Sequence, residues 1–302
     1  ILSRKGFDAA NGRFPSPILP SGQLCSLPIP DAHPEWQKTL RRYAEIQAGD
    51  ISLGQLAADL TRGRILPTTP THLDPDLDAA SVPRSPGWRP VFGQSGAAET
   101  HLQRQGVGPG DIFLFYGWFR QVEVADGRFR YVPNARNWHV LFGWLQVARR
   151  IPLTAVADIP PWAAGHPHCQ RRQPFNPDSL YIAREKLALP GVGLPGGGVF
   201  SHFHEGLRLT DPDKKQRSRW RLPAWFHPAN RPSALSYHGR ANRWETAGDV
   251  VYLKTVWRGQ EFVLNMDHYP EAEGWLRTLF TDSFSYHPAY HLAPKRGSQI
   301  AP

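Results

Sequence analysis

Residues 107–124 read VGPGDIFLFYGWFRQVEV. A Gly-Pro-Gly turn opens into a near-continuous run of aromatic and aliphatic side chains. Only Asp111 and Gly117 interrupt that character before Arg120. Such a run, bounded by turn residues, predicts a strand buried on both faces. Residues 138–151, WHVLFGWLQVARRI, predict a second strand of the same kind, with Gly143 where a bulge can bend it. Between them GRFRYVP reads as a hairpin partner.

Working outward, SLGQLAADLTRG predicts a helix capped by Ser52 and closed by Gly63. SGAAETHLQRQG predicts another that ends at Gly106, and AEGWLRTLF one more near the C-terminus. The spacing of Trp36, Leu40, Tyr43 and Ile46 predicts a helix over 33–47. DVVYLKTVWRGQEFVLNM reads as two strands joined at Arg258–Gly259. Thirty prolines and 27 glycines call for short elements and long loops, FPSPILPSGQLCSLPIPD above all. The turn, Gly-Asp pair, apolar strand and returning Gly-containing strand over 106–150 are similar to small barrels of the PUA, ASCH and EVE kind, families whose barrel binds RNA or a modified base. The expected fold is therefore mixed α+β: a mostly β core, a PUA-like barrel portion within it, flanking helices and Pro-rich loops. The expected organisation is one composite domain over 1–302. A subdivision would fall between an N-terminal α/β part, 1–155, and an aromatic, basic part, 156–302.

The chain carries 35 Lys and Arg against 26 Asp and Glu, a formal charge of +9. That balance favours anionic partners, nucleic acid or nucleotide. Cys25 and Cys169 form no CxxC pair, which argues against a disulfide framework and a cysteine-rich zinc site. No apolar run approaches the roughly 20 residues of a membrane span. No signal peptide is visible either, so a cytoplasmic protein without membrane contact is expected.

Residues 1–14, ILSRKGFDAANGRF, end a short strand with Arg4, Lys5 and Asp8. Arg offers a fork and Lys a point charge to phosphate. Asp8 is a candidate to move a proton, bind a metal or hold the two cations. In THLDPDLD, the alternating donors His72, Asp74 and Asp76 suit a divalent metal, iron, manganese or zinc; Asp and Pro are also common turn formers. GHPHC sets His166 and His168 two apart, with Pro167 arguing for a loop. His238, in LSYH, is a second acid–base candidate. Between Arg208 and Arg231 stand seven Lys and Arg and two Asp, interleaved with aromatics. Arg219, Trp220 and Trp225 there are candidates for phosphate contact and base stacking.

ILSRKGFDAANGRFPSPILPSGQLCSLPIPD, HLDPDL, FGQSGAAETHL, GDIFLFYGWFR, HVLFGWLQV, NPDSLYIA, WRLPAWFHP, LSYH and GQEFVLN occur in this order. In that order the sequence resembles the nucleotide modification associated domain family, third type, over nearly its whole length. The resemblance implies a role directed at nucleotides or nucleic acid, grouped with DNA-modification systems of phages and bacteria. The expectation is a metal-assisted modification enzyme. Its rivals are a non-catalytic reader of modified bases and a metal-dependent oxidase or hydrolase of a small molecule.

Overall fold

The computed structural model describes residues 1–31, 40–171, 176–229, 231–256 and 261–285. The two apolar stretches are its longest strands, β8 (Ile112–Ala125) and β10 (Trp138–Pro152), paired antiparallel from Trp138↔Phe119 to Gln146↔Ile112. The register shifts between Leu141 and Gly143, so the bulge lies where the glycine stands. A Cβ at Gly143 would lie 2.6 Å from Leu77 Cδ1 and 2.8 Å from the Gly198 carbonyl. Glycine there admits a neighbouring strand at close range.

Around this pair the sheet runs β16 (Glu261–Phe262), β1 (Leu2–Arg4), β8, β10, β11 (Asp178–Ala183), β7 (Val91–Ser95). Three short strands attach to it: β2 (Ser16–Ile18) and β9 (Arg128–Tyr131) on β8, and β12 (Gly197–Val199) on β10. The sheet curls into a half-barrel. Gln94 on β7 donates to the carboxylate of Glu261 on β16, tying its first strand to its last.

Side chains of β8 alternate between two aromatic layers. Phe113 and Phe115 face inward and meet Phe92 at 5.1 and 5.2 Å between ring centroids, with Tyr181 at 5.2 Å from Phe113. Tyr116 and Trp118 face outward. A second sheet, β13 (Arg219–Pro223), β15 (Val250–Lys254) and β14 (Trp244–Ala247), covers that face, with Trp220 edge-on to Tyr116 at 5.0 Å. Two small ladders complete the strands: β3 (Ile29–Pro30) with β6 (Thr71–His72), and β4 (Gln47–Ala48) with β5 (Ile51–Ser52).

Three α-helices flank the strands among the described residues: α1 (Leu53–Leu60), α2 (Gly96–Arg104) and α3 (Glu271–Ser285). The Ser52 hydroxyl caps α1 by accepting from the Gly54 amide at 3.1 Å. Two expectations are corrected. Of the helix expected over 33–47, residues 33–39 lie outside the described residues; over 40–47 the chain makes a single 3-10 turn, Tyr43–Glu45, leading into β4. Tyr43 is fully buried and donates its hydroxyl to the Pro28 carbonyl, so tertiary packing overrides the helical spacing. The strands on either side of 257–260 do not pair with each other: β15 joins the second sheet and β16 joins β1.

Candidate metal centre

β6 pairs with β3 so that His72 stands opposite Ile29, and Asp31 follows two residues later. The Asp31 carboxylate accepts from His72 Nδ1 at 3.2 Å. Two residues beyond His72, Asp74 turns inward against β7, and its Oδ1 accepts the Gly93 amide at 2.7 Å. A 3-10 turn, Pro167–Gln170, packs over the same edge of the sheet. Pro167 begins it, where a missing N–H costs nothing. The turn delivers His168, whose Nδ1 lies 2.6 Å from Asp178 Oδ1 on β11. Arg171 holds the other oxygen of Asp178 at 2.7 Å.

These bonds set tautomers. His72 and His168 each present Nδ1–H to a carboxylate, which leaves a lone pair on Nε2. His168 Nε2 lies 3.6 Å from Asp74 Oδ2. The ligand atoms of His72, Asp74 and His168 all fall within 4.8 Å of one another. Two donors bound about 2.1 Å from one ion are roughly 3.0–3.5 Å apart, so an ion here would draw the three ligand atoms closer together. His166 differs. Its Nδ1 accepts the His168 amide at 3.3 Å, so its proton belongs on Nε2, which faces Asp74 Oδ1 at 3.3 Å. His166 therefore orients the carboxylate, while His72 and His168 offer nitrogen ligands.

Burial alone would raise the Asp74 carboxyl, but His166 and His168 override it and hold Asp74 well below the usual range. Burial lowers the His72 imidazole against the pull of Asp31. Burial would also lower His168, yet its bonds to Asp178 and Asp74 leave it raised. Asp74 also lines a cavity of about 310 Å³ shared with Gly6, Ser26 and Leu77.

The remaining expected residues lie elsewhere. Asp76 is committed to Arg84 through two bonds of 2.6 and 2.7 Å. Lys5 pairs with buried Glu261 at 3.3 Å inside the curl and sits 4.4 Å over the Phe92 ring. Arg219 is held by Asp211 and Glu245 at 3.0 and 2.9 Å. Trp220 is fully buried and donates to His139 Nδ1, so it is core and offers no stacking surface. Trp225 stacks on Phe226 at 4.0 Å beside a separate cavity of about 550 Å³. His238 is buried with both ring nitrogens on backbone groups, Nδ1 to Ser236 O and Nε2 from Val256 N. Arg4 and Asp8 line a third cavity, apart from Asp74. His168, His166, Asp31 and Asp178 were absent from the expected ligand set; only the His-Pro-His spacing hinted at the first two.

The family model described as nucleotide modification associated domain 3 matches residues 1–265 of the 302. The chain belongs to this family. The nucleotide modification associated domain thus spans every residue of the candidate centre and ends just after β16. Neither curated proteins nor solved structures yield a match. Membership ties the chain to nucleotide modification. Among the described residues, no helix is long and apolar enough to cross a membrane.

Proposed function

We propose that this protein is a metal-dependent enzyme acting on a nucleotide or on a base within nucleic acid. His72, Asp74 and His168 would hold one divalent ion. The observation that carries the reading is the pair of histidines, each bound at Nδ1 by a buried carboxylate, with ligand atoms of both within 4.8 Å of each other and of Asp74. Such outer carboxylates fix ring orientation and strengthen nitrogen donors at metal sites. Two imidazoles and one carboxylate suit iron, manganese or zinc, and three protein ligands leave positions for substrate or water. When bound, the ion would supply Lewis acidity or oxygen activation. The chain's own residues place the ligands: Asp31 and Asp178 orient the histidines, and His166 with the Gly93 amide fixes Asp74. The cavity beside Asp74 gives a substrate a route to that carboxylate.

The test is mass spectrometry of nucleosides after incubating nucleotides and DNA with protein reconstituted with each metal. A new nucleoside that forms only with metal, and not with His168→Ala, is the expected result. Unchanged nucleosides with every metal and both substrates would overturn it.

A further inference from the structure

Apart from the metal centre, a cavity of about 270 Å³ opens between the outer face of the curled sheet and the second sheet. Arg4 from β1, Trp118 from β8, His139 from β10, Arg217 from the approach to β13, and Asp8 line it. Arg217 sits over the Trp118 indole, its guanidinium carbon 4.0 Å from the ring centroid. The Trp118 N–H is held in turn by Asn137 at 2.8 Å. The cation–π contact holds the guanidinium against the ring. Arg4 Nε is buried and has no hydrogen-bond partner among the described residues. Asp8, the one carboxylate lining the cavity among the described residues, already accepts the Ala10 and Asn11 amides at Oδ1, at 2.8 and 2.6 Å. His139 is held neutral: its Nδ1 accepts from Trp220 at 2.9 Å, and burial, then Arg217 and Arg4, push it down to about 3. Two guanidiniums thus share a partly buried space with a single carboxylate. Burial and the nearness of Arg4 both lower Arg217, with Asp8 opposing them.

We infer that this cavity is an anion site that takes the phosphate group of a nucleotide or of a nucleic acid strand through Arg4 and Arg217. Guanidinium N–H groups form charge-assisted hydrogen bonds with phosphate oxygens, and Arg4 and Arg217 bring two guanidiniums to one cavity. The inference rests on the nucleotide-directed reading above and assigns where phosphate would be held, away from the metal ligands.

Binding is measured by calorimetry with inorganic phosphate, deoxyadenosine monophosphate and a short single strand of DNA. The proteins are the full chain and its Arg217→Gln, Asp8→Asn and His168→Ala variants, with metal content read on each. The expected result is binding of at least one nucleotide probe more tightly than inorganic phosphate. Arg217→Gln should weaken it about tenfold or more, with metal content unchanged. Asp8→Asn should tighten it, a gain that misfolding cannot mimic. Preference for the mononucleotide or for the strand identifies the source of the phosphate. No binding to the full chain, or equal binding by Arg217→Gln and Asp8→Asn, would overturn the inference and leave the metal reading standing. Phosphate binding that persists in His168→Ala while no variant or parent ever holds metal would overturn the metal reading alone.

Discussion

Replacing Gly93 with alanine tests the geometry of the His168 ring. The glycine sits in β7, where an added Cβ would lie 2.4, 2.5 and 2.8 Å from Cδ2, Cγ and Nε2 of His168. Ordinary carbon contacts are about 3.5–4.0 Å, so the ring must retreat by roughly 1 Å. It cannot do so freely. Its Nδ1 is 2.6 Å from Asp178 Oδ1, and Asp178 is fixed both in β11 and by Arg171. A retreat of that size stretches the bond past hydrogen-bonding range, at a cost of about 1.5–3 kcal/mol for a charged acceptor. Overpacking adds about 1–3 kcal/mol. The expected loss is therefore about 2.5–6 kcal/mol, read by urea unfolding. Metal ligands tolerate displacements of about 0.2 Å, so metal affinity should also fall, by about 10–100-fold in a chelator competition. Wild-type stability in Gly93→Ala would refute the packing argument. Lost stability with unchanged metal affinity would refute the role of His168 as a ligand.

Two further outcomes follow from buried charges. Lys5→Met leaves the fully buried Glu261 carboxylate without its cation and should destabilise the protein by about 3–5 kcal/mol in urea unfolding, with Lys5→Met/Glu261→Met recovering most of it. Equal stability of Lys5→Met and the parent would contradict the pairing. Burial pushes His139 down to about 3 and His238 to about 4, so both stay neutral in the fold. In the unfolded chain they take up protons below about pH 6.5, so stability falls as pH falls through that value. Between about pH 6 and 5 each contributes about 1.4 kcal/mol per pH unit, nearly 3 together. The slope should shrink by about half in His238→Asn; an unchanged slope would show that His238 is not held neutral.

The core was legible where sequence alone constrains the backbone. The apolar run 112–119 has few alternatives to a buried strand, and Gly143 marked its bulge because no larger residue fits beside Leu77 and Gly198. Ser52 and Gly63 marked the ends of a helix through local hydrogen bonding and a positive φ. The candidate centre was only half legible. His72 and Asp74 are neighbours in sequence, but β-pairing and a 3-10 turn bring in Asp31, His168 and Asp178 from distant segments. The alternation that suggested Asp76 as a ligand fails because Arg84, eight residues on, captures it. In the basic, aromatic segment, composition did not reveal which side chains were already spent. Trp220 fills the core and Arg219 is paired twice, whereas Arg217, two residues away, faces the cavity.

The most direct test of the metal-centre account is the metal content of the purified chain after reconstitution with iron, manganese or zinc and exhaustive dialysis. The account predicts about one ion per chain with at least one of these metals. That ion should be lost in His72→Ala and His168→Ala and kept in Asp76→Asn. No stoichiometric ion with any of the three metals, or full retention in both histidine variants, would contradict it.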